Sequence, residues 1–204
     1  MSKVIITIGR EYGSGGRYIG KLVAEKLDIP FYDKELIAIA AREGNLNENI
    51  IENLDETSSN RFFYALPTSS FMPSSISTSF DLTMNDRLFL LQSKAIKQIA
   101  NEGSAVIVGR CADYVLRDNP DVINVYIHAA LEQRVENAVK NYNLNPSNAK
   151  KIVEKTDETR MKYYNYYAGR KWGYADNYTL CVDSGLGLDT TVDIIVTAAK
   201  SKLG

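Results

Sequence analysis

Val4-Ile5-Ile6-Thr7-Ile8-Gly9-Arg10-Glu11-Tyr12-Gly13-Ser14-Gly15-Gly16-Arg17 is an apolar run that passes straight into a glycine-rich turn, and the segment after it, Tyr18 to Leu27, has the pattern of a helix. A run of β-branched residues without polar alternation predicts a strand buried on both faces. Glycines let the following turn adopt positive φ and present successive N–H groups to an anion, while the helix directs its positive end at the same point. The stretch therefore reads as a phosphate cradle built from Gly13, Ser14, Gly15 and Gly16, with Arg17 at the helix start. A standard phosphate loop, G-x-x-x-x-G-K-[ST], supplies a lysine to the β and γ phosphates. Here Gly16 stands at that lysine, Arg17 follows it, and Tyr18 takes the place of the hydroxyl residue expected near a magnesium ion. Arg17 is the candidate replacement, because arginine grips phosphate bidentately where lysine acts as a point charge. Two other readings stand beside this one. The glycines can serve packing in a tight β-to-α turn. A dinucleotide fold would use Gly13-x-Gly15 at the helix start and Asp33 as the ribose acid about twenty residues on, but Tyr18 occupies its third, small position.

Working outward, further apolar runs occur at Pro30 to Tyr32, Ala105 to Val108, Val122 to Ile127 and Thr179 to Val182. Helix-length amphipathic segments separate them: Lys34 to Arg42, Met84 to Asn101, Leu131 to Asn141, Ser147 to about Gly169, and Thr190 to Lys202. Buried strands alternating with helices predict a three-layer α/β architecture with a parallel sheet and right-handed crossovers. Asn145-Pro146 offers a cap with proline in the first helical turn, and Asp189 can cap the last helix. Between Thr57 and Thr83 the periodicity stops in a long Ser/Thr-rich stretch carrying Phe62, Phe63, Tyr64, Phe71 and Phe80, which reads as a flap, a packed excursion or an insert. No repeat or boundary divides the 204 residues, so one domain over 1–204 is expected.

Composition narrows the partners. A formal net charge of −1 gives no overall positive field for nucleic acid or an anionic membrane, so any basic site is local. Cys111 and Cys181 form neither a disulfide framework nor a metal pattern and are expected to be reduced, partly buried and inert, which fits a cytoplasmic setting. No signal-peptide pattern opens the chain and no apolar run reaches ~18 residues, so a soluble protein is expected. The single histidine, His128, has no second histidine to share a metal and reads as structural.

Several side chains gather at the predicted carboxyl edge of the sheet, where open α/β folds bind ligands. Asp33 follows the second strand, either to orient an acceptor or to cap a helix. Arg110 follows Val106-Ile107-Val108-Gly109, either to bind phosphate or to pair with Asp113. Arg10 and Glu11 lie in the glycine turn itself, placed to pair with each other or with the ligand. Farther on, Arg134 and Arg160 suit a lid that places charge around a transferring phosphoryl group, and Asp157 and Arg160 share a helix face on which they can pair. The tyrosines from Tyr163 to Tyr178, with Trp172, read as a packed helix end over the last strand or as a base-stacking surface.

The motifs Ile6-Thr7-Ile8, Arg10 to Arg17, Pro30-Phe31-Tyr32-Asp33-Lys34, Val108-Gly109-Arg110-Cys111-Ala112-Asp113-Tyr114, Asp157 with Arg160, and Tyr163 through Trp172-Gly173 together resemble the cytidylate kinase-like proteins, over nearly the whole chain. The resemblance implies a P-loop nucleoside monophosphate kinase fold with a five-stranded parallel sheet. It also implies donor phosphates held by Gly13 to Arg17, Asp33 and Arg110 toward the acceptor, Arg134 and Arg160 in a lid at about 134–170, and 57–83 as an acceptor-side loop. The implied reaction moves the γ phosphate of ATP to CMP or dCMP with Mg2+, between a nucleotide donor and a small-molecule acceptor. In true cytidylate kinases the loop reads G-x-x-x-x-G-K-G-T; this chain has Arg10 at the first glycine, Gly16 at the lysine and Tyr18 at the threonine, and carries Lys34 and Ile39 where acceptor-binding serine and arginine stand. A nucleotide-binding regulator that kept the cradle without the chemistry is the second function the sequence allows.

Overall fold

The computed structural model describes residues 3–33 and 84–203. The helix expected at Lys34 to Arg42 and the loop expected at 57–83 lie outside the described residues. Five strands form one sheet: β1 (Ile5–Arg10), β2 (Phe31–Tyr32), β3 (Ala105–Val108), β4 (Val122–His128) and β5 (Leu180–Asp183), in the order β2-β3-β1-β4-β5. Every pair is parallel. Around the sheet, among the described residues, lie α1 (Gly16–Leu27), α2 (Met84–Glu102), α3 (Ala112–Val115), α4 (Leu131–Tyr142), α5 (Ala149–Ala168) and α6 (Leu188–Leu203).

The central position of β1 follows from its side chains. Ile6 and Ile8 join Val106, Val108, Val125, Ile127, Val23 and Ile195 in the layer between the sheet and α1 and α6, whereas Ile5 and Ile107 face Ile96, Ile99 and Leu116 on the other side. Each such isoleucine, fully removed from water, contributes roughly 1.5–3 kcal/mol. The polar residue buried within this strand, Thr7, places its Oγ1 2.6 Å from Asn124 Oδ1 on β4. A Cβ on Gly20 would lie 2.7 Å from Ile8 Cδ1, so glycine is what lets α1 press onto β1.

Four local expectations are corrected. The edge strands are only half-buried: β2 is intermediate at both residues, and in β5 only Val182 is buried. Cys181, on that edge, is exposed, while Cys111 is buried. The residue that caps α5 is Asn148 without a side-chain bond; Asn145 Oδ1 instead accepts from Ser147 N at 3.0 Å, closing a turn before the helix. Asp189 lies inside the first turn of α6, which opens instead on Gly187, whose carbonyl accepts from Thr191 N and Oγ1.

Gln92 is the polar exception in α2. It is 1% exposed, shares the inward face with Ala95, Ile96 and Ile99, and among the described residues neither its Nε2 nor its Oε1 has a hydrogen-bond partner. An orphaned buried amide costs about 1–3 kcal/mol per group. Gln92→Leu, similar in volume, is expected to raise the melting temperature by several degrees in thermal denaturation, at about 2–4 °C per kcal/mol for a chain of this size. A lower melting temperature would show that the amide is satisfied in solution.

Candidate phosphate-binding site

The turn between β1 and α1 is shaped by its glycines. Gly13 has φ +83° and Gly15 φ +75°, and Gly15 is the residue that precedes the first turn of α1. Ser14 is folded inward: its N–H and its Oγ both reach Glu11 O, and the Oγ accepts from Gly16 N at 3.4 Å. Among the described residues, the N–H groups of Ser14, Gly16 and Ile19 bond within the turn, while those of Glu11 and Tyr12 donate outside it, to Ile127 O and Asp157 Oδ1. Those of Gly13 and Gly15, and of Arg17 and Tyr18 at the helix start, remain at the mouth of the turn, where the helix dipole favours an anion. This donor set fits the phosphates of a nucleotide.

Beneath the turn runs a buried brace. Arg134 on α4 is 8% exposed, and its guanidinium donates to Ala129 O (3.1 Å), to Tyr12 O (3.1 Å) and to the Asp157 carboxylate, with Glu11 Oε2 3.2 Å from Nε. Asp157 on α5 also accepts from Tyr12 N at 2.7 Å, Glu11 accepts from Ala129 N at 3.2 Å, and Asn137 Nδ2 donates to Gly13 O at 3.1 Å. Two helices thereby hold the loop from below. Burial pushes the Asp157 carboxyl above its ordinary range, against the opposing pull of the Tyr12 N–H and Arg134.

On the other side of β1 a cleft opens at the carboxyl ends of β1 and β3. A cavity of about 40 Å³ there is lined by Arg10, Arg110, Arg160, Tyr163, Tyr164 and Trp172, among others. The exit from β3 is strained: Gly109, Arg110 and Cys111 take φ +74°, +58° and +54° in succession. Non-glycine residues reach that region at a cost of roughly 1–3 kcal/mol each, and such strain is concentrated at ligand-binding sites. Here it sets Arg110 at the cleft. Asp113 accepts from Tyr164 Oη at 2.6 Å, joining this exit to α5, and burial raises its pKa. Arg160 donates to Arg10 O at 3.0 Å and its guanidinium lies 5.4 Å from the Tyr12 ring centroid. Burial depresses its pKa, and the carboxylate of Asp157 opposes the shift.

The sequence-derived residues thus divide into four groups. Gly13, Gly15 and Gly16 form the turn, with Ser14 internal to it. Arg17 points toward β2, its Nε 2.5 Å from Asp33 Oδ2, so the two are brought together, with Asp33 buried and Arg17 largely exposed. Arg110 and Arg160 reach the cleft, whereas Arg134 and Asp157 meet each other in the brace. The hydrogen bonds of Asp157 go to Tyr12 and Arg134 rather than to Arg160, its neighbour on the helix face. From the sequence, Arg10 and Glu11 are placed to pair with each other or with the ligand; here Arg10 lines the cleft, while Glu11 and Asn137 hold the loop. For Arg10 a signal existed, since a bulky cation stands where the standard loop has its first glycine. Among the described residues no three His, Cys, Asp or Glu side chains come together as a metal-binding group. A magnesium ion at this site would rest chiefly on the nucleotide's own phosphates, its usual mode, with one or two protein ligands at most.

Comparison with known proteins bears on the fold and the family. Among solved structures, the fold is similar to an uncharacterized protein from Eubacterium ventriosum, at 27% identity and TM-score 0.71, covering 98% of this chain and 99% of that one. It is also similar to a gluconokinase from Sinorhizobium meliloti (17% identity, TM-score 0.56, 98% and 93% covered) and to a shikimate kinase from Bacteroides thetaiotaomicron (10%, 0.54, 98% and 99%). No curated protein sequence matches the chain. With a five-stranded parallel sheet, a glycine turn after its central strand, and a family model that matches residues 5–186, the chain belongs to the cytidylate kinase-like family.

Proposed function

We propose that the protein is an ATP-dependent phosphotransferase of the nucleoside monophosphate kinase type, acting on CMP, dCMP or another small phosphate-bearing acceptor. The observation that carries this reading is the pairing of two anion sites across β1: N–H donors at Gly13, Gly15, Arg17 and Tyr18 on one side, and the Arg10, Arg110 and Arg160 cleft on the other. Donor phosphates lie on the turn, and Asp33 and Arg110 face the acceptor. An acceptor phosphate oxygen attacks the γ phosphorus, the bond from that phosphorus to the β–γ bridging oxygen breaks, and ADP leaves with the electron pair. Arginines placed beforehand around the equatorial oxygens stabilise the charge in transit, and a cleft closed by α5 keeps water from competing as the nucleophile. Mg2+, when bound with the nucleotide, would supply charge neutralisation at the phosphates. In this reading Arg134 and Asp157 act by positioning the loop, while the chain works as one domain with the α4–α5 region as its lid.

No helix among the described residues is long and apolar enough to cross a membrane. With free cysteines and a net charge near zero, we place the protein in the cytoplasm, with neither nucleic acid nor a membrane as partner.

The test is an ADP-release assay with ATP, magnesium and a panel of ribo- and deoxyribonucleoside monophosphates. Turnover on the order of 1–100 s⁻¹ with one of them is expected. ATP binding without turnover for any acceptor would favour the regulator, whose cradle is the same.

A further inference from the structure

Arg10 and Gly16 have exchanged roles. The standard loop has glycine at the first of these positions and lysine at the second; here the cation comes first and the glycine second. The two are in contact. A Cβ on Gly16 would sit 2.6 Å from Arg10 Cβ and 3.2 Å from its Cγ, so the stem of Arg10 occupies the space in which a side chain at 16 would begin. From there Arg10 crosses toward β3, where a Cβ on Gly109 would lie 2.2 Å from Nη1. Glycine at both places is what gives the guanidinium its path. Its side chain is 16% exposed, and its one ion pair among the described residues is with Asp33 at 3.9 Å, beyond hydrogen-bond range.

The head of Arg10 therefore enters the same cleft as Arg110 and Arg160 with hydrogen-bonding capacity unspent. A guanidinium offers five donors in a fork that matches a phosphate. Burial first, and then the nearby charges of Arg160 and Arg110, lower its pKa to about 9, against the influence of Asp33, so it stays a cation at neutral pH. Three guanidinium groups line this one small cavity, a lining that suits an anion.

We propose that Arg10, moved to the end of β1 and given room by Gly16, is the cation that replaces the loop lysine and grips the γ phosphate of the bound nucleotide. Resting on the kinase reading above, this assigns to Arg10 the task that the sequence suggests for Arg17. Arg17 is the outer residue, tied to Asp33 and more than half exposed at its side chain.

Titration calorimetry of the full chain with ATP and with ADP, in magnesium, tests it. The wild type is expected to prefer ATP. Arg10→Gln should reduce that preference by about tenfold to a hundredfold, the scale of a charge-assisted contact, with ADP affinity changed by less than about threefold, whereas Arg17→Gln should leave the ratio intact. Gly16→Lys alone should lower both the melting temperature and ATP affinity by steric conflict with Arg10, and Arg10→Gly with Gly16→Lys together should restore them. If wild type binds ATP and Arg10→Gln keeps its preference, or if the two substitutions act additively, the assignment to Arg10 fails and the kinase reading stands. If wild type binds no ATP, both fail.

Discussion

Arg134→Ala is expected to destabilise the protein by about 3–5 kcal/mol, the range seen when one partner of a buried ion pair is removed. The cost arises from what is left behind rather than from the attraction lost. Asp157 keeps one N–H donor, from Tyr12, Glu11 keeps the Ala129 N–H, and the carbonyls of Tyr12 and Ala129 lose their side-chain donor. Two carboxylates then face a cavity with no cation in it. The raised pKa of Asp157 already shows that its burial is only partly offset by its partners. Removal of Arg134 should raise it further, so that the variant's stability should fall as pH rises through that raised pKa. For a chain of this size the loss corresponds to a melting temperature lower by about 6–20 °C. Arg134→Lys should fall between, because an ammonium restores charge but cannot reach four acceptors from one planar fork. Thermal denaturation at pH 6 and pH 8.5 checks both parts. A loss below about 1 kcal/mol, typical of an exposed pair, would mean that the brace is open to water.

The same residues show which parts of the site a sequence exposes. The strands were legible because burial on both faces leaves an unbroken apolar run, as at Ala105 to Val108; the helices were legible because periodicity records which face is covered, and α1, α2 and α4 end within a residue or two of expectation. The glycine turn was legible for a related reason. Positive φ at Gly13, Gly15 and Gly109 excludes most side chains, so backbone geometry is written directly in residue type. Charged partners carry no such mark. Asp157 and Arg160 are three apart on α5, which permits a pair, yet Asp157 bonds to Arg134 on α4 and to the backbone at Tyr12, contacts separated by 23 and 145 positions in the chain. Spacing within a helix fixes direction, and tertiary packing selects the partner. Arg10 is intermediate: its position at a glycine site is visible, but the contact with Gly16 that gives the substitution meaning exists only in three dimensions.

Gly13→Ala is expected to be the most damaging of the loop substitutions, and Gly15→Ala supplies its control. Both positions have positive φ, so a Cβ at either adds the left-handed penalty of roughly 1–2 kcal/mol. Their surroundings differ. At Gly15 the added carbon meets only Ile19 Cδ1, at 3.8 Å, which is ordinary contact. At Gly13 it would lie 2.3 Å from Arg134 O, 2.9 Å from Arg134 C and 3.0 Å from Arg134 Cα, all main-chain atoms of a helix that cannot swing aside. Relief requires the turn to lift from α4. That movement breaks the Asn137 bond to Gly13 O and strains the contacts of Tyr12 with Arg134 and Asp157, so the loss extends beyond the clash. Gly13→Ala should therefore cost about 3 kcal/mol or more, in the class of strain at a special backbone position. It should also weaken nucleotide binding, because the N–H groups of the turn move off the phosphates. Gly15→Ala should cost about 1–2 kcal/mol and keep measurable affinity. Denaturant unfolding and calorimetry on the two variants separate the terms: equal losses would show that φ alone governs the turn, and a larger loss at Gly13 would show that the loop is held in place by the backbone of α4.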